Sequence, residues 1–346
     1  MRILCRIWFQ SVDFLQTSNI RNNMKAFITG GTGFIGSHLV DSLIEEGGHE
    51  LRCIVRKEEK WLEGKPYKKI NSDLNNLPAL QEAVEGVDII FHLAGVVKSP
   101  DRKTFERVNV EATENLLRIA QRLKVPKVII LSSLAAAGPS FSVPITEDAP
   151  MLPVSRYGES KKRMEEIIHK ISDNKTCITI LRPSAVYGPR EEDIYSFFKI
   201  AQKGICPIVG SGSGKAISLA HVDDIISGIN LARKCDHTGI KTYFLASERG
   251  YDWHEIRDAT SSALGKKLLT INVPSRFVRS IGTISETTAS FFGKYPVMNE
   301  DKAKEMVLSW ECSVEKARKE LGYEQRISLM DGIKQTISWY KLHNWL

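Results

Sequence analysis

Tyr157 and Lys161 stand four positions apart in the segment 156–172, whose spacing predicts a helix, so both side chains share one helix face. A free phenol titrates at about 10, too high for a base at neutral pH. A neighbouring ammonium favours the phenolate, which suits the pair to general acid and base work. The plain alternative is an amphipathic surface helix that happens to carry both residues. Upstream, the apolar run 128–131 ends in Ser132-Ser133. A hydroxyl at that point holds a reacting oxygen during proton transfer. Turn-forming hydroxyls are the competing reading, and it weighs more against Ser132 than against Ser133.

These side chains need a partner molecule, and the start of the chain offers a place for one. An apolar run, 24–28, leads into Thr29-Gly30-Gly31-Thr32-Gly33-Phe34-Ile35-Gly36, and a helical pattern follows. Strand, glycine turn and helix together form a dinucleotide-binding context. Gly30 permits the tight turn, Gly33 lets the backbone approach a pyrophosphate, and Gly36 lets the helix pack closely on the strand. The N–H groups of the helix start, at Phe34 and Ile35, then face the phosphates. The second strand candidate, 51–55, runs into Arg56-Lys57 with no carboxylate at its tip. Two cations there suit a 2′-phosphate and predict NADP over NAD, with a solvated basic turn as the alternative.

The elements that position these groups follow from periodicity. Strand candidates at 25–29, 51–55, 88–93, 127–132 and 177–182 alternate with helical patterns at 35–46, 78–85, 103–123 and 156–172. Such alternation predicts an α/β, Rossmann-type doubly wound parallel sheet, with ligands beyond the carboxyl ends of its strands. After 183 the pattern is broken by glycine and proline. Helices are expected at 223–234, 253–264, 300–308, 313–320 and 328–341, and short strands near 217–220 and 242–246. The expected division is a dinucleotide-binding domain over 24–183 plus about 217–250, and a smaller, discontinuous C-terminal substrate lobe over about 184–216 plus 251–346. The proline-rich segment 139–155 is expected to be a loop, a lid beside Ser133.

The 346 residues are 42% apolar, enough for a substantial core. The mean hydropathy is −0.19 and no run is long enough for a membrane span. The net charge of +7 is scattered and mixed in sign, without a basic stripe, so an anionic cofactor explains it and nucleic acid is not expected. The six cysteines are not spaced as a metal site or a redox pair, and a reduced, cytoplasmic setting is the default expectation. Residues 1–23 are expected to form a loosely packed extension before Met24, from an upstream start codon, with an interfacial anchor as the alternative.

Taken in order, these motifs resemble the extended short-chain dehydrogenase/reductases, the NAD-dependent epimerase/dehydratase family. The resemblance runs from about residue 24 to the C-terminus. Its marks are the 29–36 loop, Asp73-Leu74, His92-Leu93-Ala94-Gly95, Asn109, Ser132-Ser133, Tyr157 to Lys161, Leu181-Arg182-Pro183 and His221-Val222-Asp223-Asp224. It implies Tyr157 as the acid/base and Lys161 as the group that lowers its pKa and binds the nicotinamide ribose. Counted back from Gly138, Ser133 matches the family's catalytic serine. Asp73 and Leu74 would flank adenine, the turn Leu93, Ala94, Gly95 would line the cofactor, and Pro183 would approach the nicotinamide. Asn109 would shape its helix or hold a relay water, with helix packing the equal alternative. His221 would be a packing residue. A homodimer through helices near 103–123 and 156–172 is a further implication.

Within the family, nucleotide-sugar epimerases resemble one another in an arginine four residues before the motif at 221–224 and a second in a glycine–arginine segment. Here those places hold Ile217, with Lys215 nearby, and Gly293-Lys294-Tyr295-Pro296. A diphosphate wants forked donors, and none stands there. The apolar side chains Val186, Tyr187, Ile194, Tyr195, Phe197, Phe198 and Ile200 are read as lining for a less polar substrate, with lobe packing as the alternative. This pattern resembles the dihydroflavonol-reductase-like and 3β-hydroxysteroid-dehydrogenase-like branches. It implies hydride transfer between NADP(H) and a carbonyl or secondary alcohol of a small, fairly apolar substrate. A nucleotide-sugar epimerase or dehydratase with tightly held cofactor is the alternative, and a non-catalytic cofactor-binding protein the second.

Overall fold

In the first strand, β1 (Lys25–Thr29), Ala26 and Ile28 enter one hydrophobic cluster and Phe27 enters another, all three fully buried. A strand buried on both faces belongs inside a parallel sheet covered by helices on each side. The computed structural model, which describes residues 23–291, 296 and 298–346, has that form. The strands after β1 are β2 (Glu50–Val55), β3 (Lys68–Asn71), β4 (Ile89–His92), β5 (Lys127–Leu131), β6 (Cys177–Pro183), β7 (Ala185–Tyr187), β8 (Ile205–Val209), β9 (Leu219–His221), β10 (Gly239–Leu245) and β11 (Leu269–Val273). Among the described residues, seven parallel strands make one sheet in the order β3-β2-β1-β4-β5-β6-β10.

The helices are α1 (Phe34–Glu46), α2 (Leu77–Val84), α3 (Arg102–Phe105), α4 (Ala112–Arg122), α5 (Leu134–Ala137), α6 (Arg156–Ile171), α7 (Tyr195–Gln202), α8 (Val222–Lys234), α9 (Trp253–Leu264), α10 (Ser275–Phe291), α11 (Glu300–Met306), α12 (Glu315–Leu321) and α13 (Leu329–Leu342). Leu39, Val40 and Leu43 of α1 join Ile225 and Ile229 of α8 on one sheet face. Leu80 of α2, Leu116 and Leu117 of α4, and Met164 and Ile168 of α6 cover the other. The sheet is therefore doubly wound. The strand order reverses between β1 and β4, which opens a crevice at their carboxyl ends.

The structure departs from the sequence reading in several places. The helix expected over 103–123 is α3, a π-helical stretch Glu106–Glu111, and α4. The short strand expected near 217–220 is β9, while β3, β7, β8 and β11 had no clear sequence signal. Residues Cys312, Val314, Ala317, Leu321 and Tyr323, assigned to the lobe by the sequence division, pack on the sheet with Tyr243 and Phe244. The aromatic side chains read as a substrate lining are largely lobe core. Tyr187 and Phe198 are buried with Ile333, Ile337 and Tyr340, while Ile194, Tyr195 and Phe197 pack against them. Val186 packs on the sheet cluster, and Ile200 is exposed. Tyr195 and Phe198 meet Tyr340 of α13, and Phe197 meets Trp253 of α9. Residues 1–22 and 292–295 lie outside the described residues, and with them most of the extension and of the 293–296 segment.

Candidate active site

The glycine loop leaves β1 and turns into α1 under tight steric limits. Gly30 has φ +72°, and a Cβ there would meet the Ala94 nitrogen at 2.6 Å. A Cβ on Gly36 would lie 2.1 Å from the Gly30 carbonyl oxygen. Gly36 therefore serves the packing of α1 on the loop itself rather than on the strand. Gly33 is the helix N-cap, with no side-chain cap and no acidic residue in the first turn of α1. The early N–H groups at Phe34, Ile35 and Gly36 have no partner within the helix and stand at its positive end. This cradle fits a pyrophosphate.

A buried chain of hydrogen bonds braces the loop. Thr113 Oγ1 donates to the Asn109 carbonyl (2.7 Å), so it accepts from His92 Nε2–H (2.8 Å). His92 Nδ1 then accepts from Thr29 Oγ1 (2.8 Å), which itself accepts from the Ala94 N–H (3.2 Å). The network assigns the tautomer. Burial, with Lys161 nearby, pulls the His92 pKa down to about 3, so the ring is neutral. Asn109, in the π-helical stretch, accepts from Val96 N–H (2.8 Å) and donates to the Val96 carbonyl (3.0 Å) and to Ser160 Oγ (2.8 Å). It fastens the turn Leu93, Ala94, Gly95 to the helix that carries Tyr157. A Cβ on Gly95 would sit 3.3 Å from both Asn109 Oδ1 and Lys161 Nζ, so only a small residue is comfortable there.

Ser133, Tyr157 and Lys161 meet beside this turn. Ser155 caps α6 by accepting from Gly158 N–H (3.1 Å), which fixes the first turn where Tyr157 stands. Ser133 caps α5, accepting from Ala135 N–H (3.1 Å), and its hydroxyl lies near the Tyr157 phenol, where it favours the phenolate. Ser132 points elsewhere, donating to Glu165 in the interior (2.5 Å). Lys161 is buried and donates to the Leu131 carbonyl (2.7 Å). Burial pushes the Tyr157 phenol up to about 12, Ser133 works against that rise, and Glu305 adds to it. The Lys161 ammonium is turned to the Leu131 carbonyl. Burial brings Lys161 down to about 8, opposed by Glu165.

The remaining residues fall around the same crevice. Arg56 and Lys57 are exposed just past β2, and the exposed Asp73 and half-buried Leu74 lie just past β3. Pro183 ends β6, and Ser184 Oγ next to it is buried without a hydrogen-bond partner. An orphaned hydroxyl at a strand's carboxyl end fits an amide such as that of a nicotinamide. His221 is buried against Tyr187 and accepts from Asp223 N–H (3.3 Å), as a packing residue does. Two residues escaped the sequence reading as parts of the site, Glu165 and Thr113. Their polar spacing looks like an exposed helix face, and only the tertiary fold buries them.

The loop 139–155 borders a cavity of about 300 Å³ whose charged lining is Lys215, Asp252, Glu255 and Glu311. Ile217 is held by backbone bridges to Tyr251 and Trp310 and packs in the lobe. Among the described residues no group of His, Cys, Asp and Glu side chains is placed to hold a metal, and no helix is long and apolar enough to cross a membrane.

The profile of the NAD-dependent epimerase/dehydratase family matches residues 26–244, from β1 to β10. The chain belongs to this family. A ceramide reductase of Caulobacter vibrioides is 26% identical over 322 residues, 92% of this chain and 95% of that protein. A decarboxylating sterol-4-alpha-carboxylate 3-dehydrogenase of Candida albicans is 24% identical over 336 residues, 90% of this chain and 96% of that protein. The UDP-glucuronic acid 4-epimerase of Bacillus cereus, solved with UDP-glucuronic acid and NAD, superposes with a TM-score of 0.75 at 22% identity, covering 92% of this chain and 100% of that one. As a family member the chain is an NAD-dependent type of enzyme with a Rossmann-like fold. The glycine cradle, the Ser184 hydroxyl and the buried Lys161 fit a nicotinamide dinucleotide.

Proposed function

We propose that this family member is an oxidoreductase that interconverts a carbonyl and a secondary alcohol, with NADP(H) preferred. The observation that carries the reading is the placement of the Ser133 hydroxyl near the Tyr157 phenol, one helical turn from the buried Lys161. A bound dinucleotide supplies or takes up the hydride. Tyr157 gives its phenolic proton to the carbonyl oxygen and recovers it from the alcohol in reverse. Ser133 donates to the same oxygen and orients it. Lys161, as an ammonium, holds the ribose hydroxyls and favours the phenolate once aligned. Arg56 and Lys57 would bind a 2′-phosphate.

A fairly apolar substrate is supported by the charges around the loop 139–155. Glu255 is paired with Arg249, Asp252 and Glu311 outnumber Lys215, and Ile217 offers a diphosphate no donor. The names of the ceramide reductase and the sterol dehydrogenase point the same way. The second reading, a nucleotide-sugar epimerase, uses the same Ser133, Tyr157 and Lys161, and is favoured by the shared fold of the UDP-glucuronic acid epimerase. We also propose a homodimer through α4 and α6, which lie side by side on one sheet face.

The deciding assay offers the purified protein NADPH or NADH with apolar ketones and, separately, UDP-sugars. Net oxidation of NADPH with a ketone is expected, abolished by Tyr157→Phe. Conversion of a UDP-sugar without net cofactor use overturns the reductase reading in favour of the epimerase. Equal efficiency with NADH removes the case for Arg56 and Lys57. A cellular role that survives Tyr157→Phe, with cofactor still bound, favours a binding protein.

A further inference from the structure

One helical turn after Lys161 stands Glu165, a carboxylate with no exposure to solvent. It accepts from Ser132 Oγ (2.5 Å), from Arg182 Nε (3.0 Å) and from Arg182 Nη2 (2.6 Å). Arg182 is itself buried, lies over the Phe244 ring at 5.5 Å, and leaves Nη1 without a hydrogen-bond partner. Burying such a pair seldom adds net stability, and an orphaned N–H makes it costlier. Its place in the fold is more informative. Ser132 adjoins Ser133, Arg182 adjoins Pro183, and Glu165 adjoins Lys161 on the helix face, so the network touches each segment of the site from below.

Lys161 needs such support. It is buried, and desolvation favours its neutral amine. The groups that face it are Tyr157 and Glu165 on its own helix, His92 from β4, the Leu131 carbonyl, and the uncharged Asn109 and Gly95. His92 is neutral and gives no help. Glu165 is the negative charge that opposes the loss of the proton. Arg182 forks onto that carboxylate through Nε and Nη2 and fixes its place beneath the helix turn of Lys161.

We propose that Glu165, held in place by Arg182 and Ser132, is a positioning residue that supports the Lys161 ammonium when the dinucleotide binds. This rests on the role given to Lys161 under Proposed function. The test reads cofactor binding, not turnover. NADH is titrated by fluorescence from about pH 6 to about pH 10 against the intact chain, Lys161→Met, Glu165→Gln and Glu165→Gln/Arg182→Gln. In the unaltered protein affinity falls off on the alkaline side as Lys161 loses its proton. In Glu165→Gln that fall-off moves down by about one pH unit. In the double variant, which removes both buried charges, the melting temperature recovers while the fall-off stays displaced. A fall-off that does not move in Glu165→Gln overturns the proposal, as does one that returns together with the melting temperature. If Glu165→Gln does not fold, the double variant decides alone. A displaced fall-off supports the proposal, and an unmoved one overturns it. The Lys161→Met protein separates the two claims. If it keeps the alkaline fall-off, the role of Lys161 is wrong, whatever Glu165 does.

Discussion

Asn109 grips the backbone of Val96 from both sides, accepting from its N–H at 2.8 Å and donating to its carbonyl at 3.0 Å. The same amide reaches Ser160 on α6, so one side chain joins the turn after β4 to the catalytic helix. Asn109→Leu keeps the volume and removes all three hydrogen bonds. We expect a loss of about 2 kcal/mol in stability, and weaker cofactor binding because the turn is no longer fastened. Chemical denaturation and NADH titration check it. A variant that loses stability but binds cofactor normally would limit Asn109 to packing.

The glycines of the first loop separate fold from binding. Gly36→Ala places a Cβ 2.1 Å from a backbone oxygen, which cannot be absorbed without moving α1. Both melting temperature and cofactor affinity are expected to fall. Gly33→Ala meets only the Gly30 oxygen at 3.2 Å, at an ordinary φ of −83°. The fold should survive with a small change in melting temperature. The methyl would occupy the place where a pyrophosphate approaches, so affinity should drop by about tenfold or more. Equal affinity in Gly33→Ala and the unaltered protein would remove the pyrophosphate from this loop.

How much of this was legible in the sequence depended on how each signal is made. Strands β1, β4, β5 and β6 are apolar runs buried on both faces, and helices α1 and α6 carry clear apolar spacing. β3 (Lys68–Asn71) is an edge strand with the sequence Lys-Lys-Ile-Asn, where exposure erases the hydrophobic signal. Tyr187 and Phe198 looked like a ligand lining because the helix that buries them, α13, lies far along the chain. Glu165 sits in a polar stretch of α6 that carries no local sign of burial, and only the tertiary fold brings it against Arg182 on β6. The chemistry-bearing spacing of Tyr157 and Lys161 was visible, but the direction of the Lys161 side chain toward Leu131 was not.

The pH dependence of turnover should report the groups around the phenol. In alcohol oxidation the base form of Tyr157 is needed, so activity rises with pH through its apparent pKa. Ser133 stabilises the phenolate and Glu305 opposes it. Ser133→Ala should move the rise to higher pH, and Glu305→Gln should move it to lower pH. Tyr157→Phe should cut kcat by about 10²- to 10⁴-fold at all pH values. Shifts of the same sign in both variants would mean that another group sets the profile.

Acid should weaken the fold through His92. Its pKa is about 3 in the native protein and 6.5 ordinarily, so the unfolded chain takes up a proton that the native ring refuses. Stability from this group is complete above 6.5 and is lost as pH falls toward 3. Between 6.5 and about pH 4 the loss is ~3 kcal/mol. Urea unfolding at a series of pH values checks it, with His92→Phe as the comparison. That variant removes the acceptor of the Thr29 hydroxyl and the N–H that reaches Thr113, and is expected to be less stable near neutrality. Having nothing to protonate at this position, it should lose less on acidification. Lys161 contributes to holding the ring neutral, so Lys161→Met should make the acid loss shallower as well. Parallel acid profiles for His92→Phe and the unaltered protein would move the acid sensitivity to other groups.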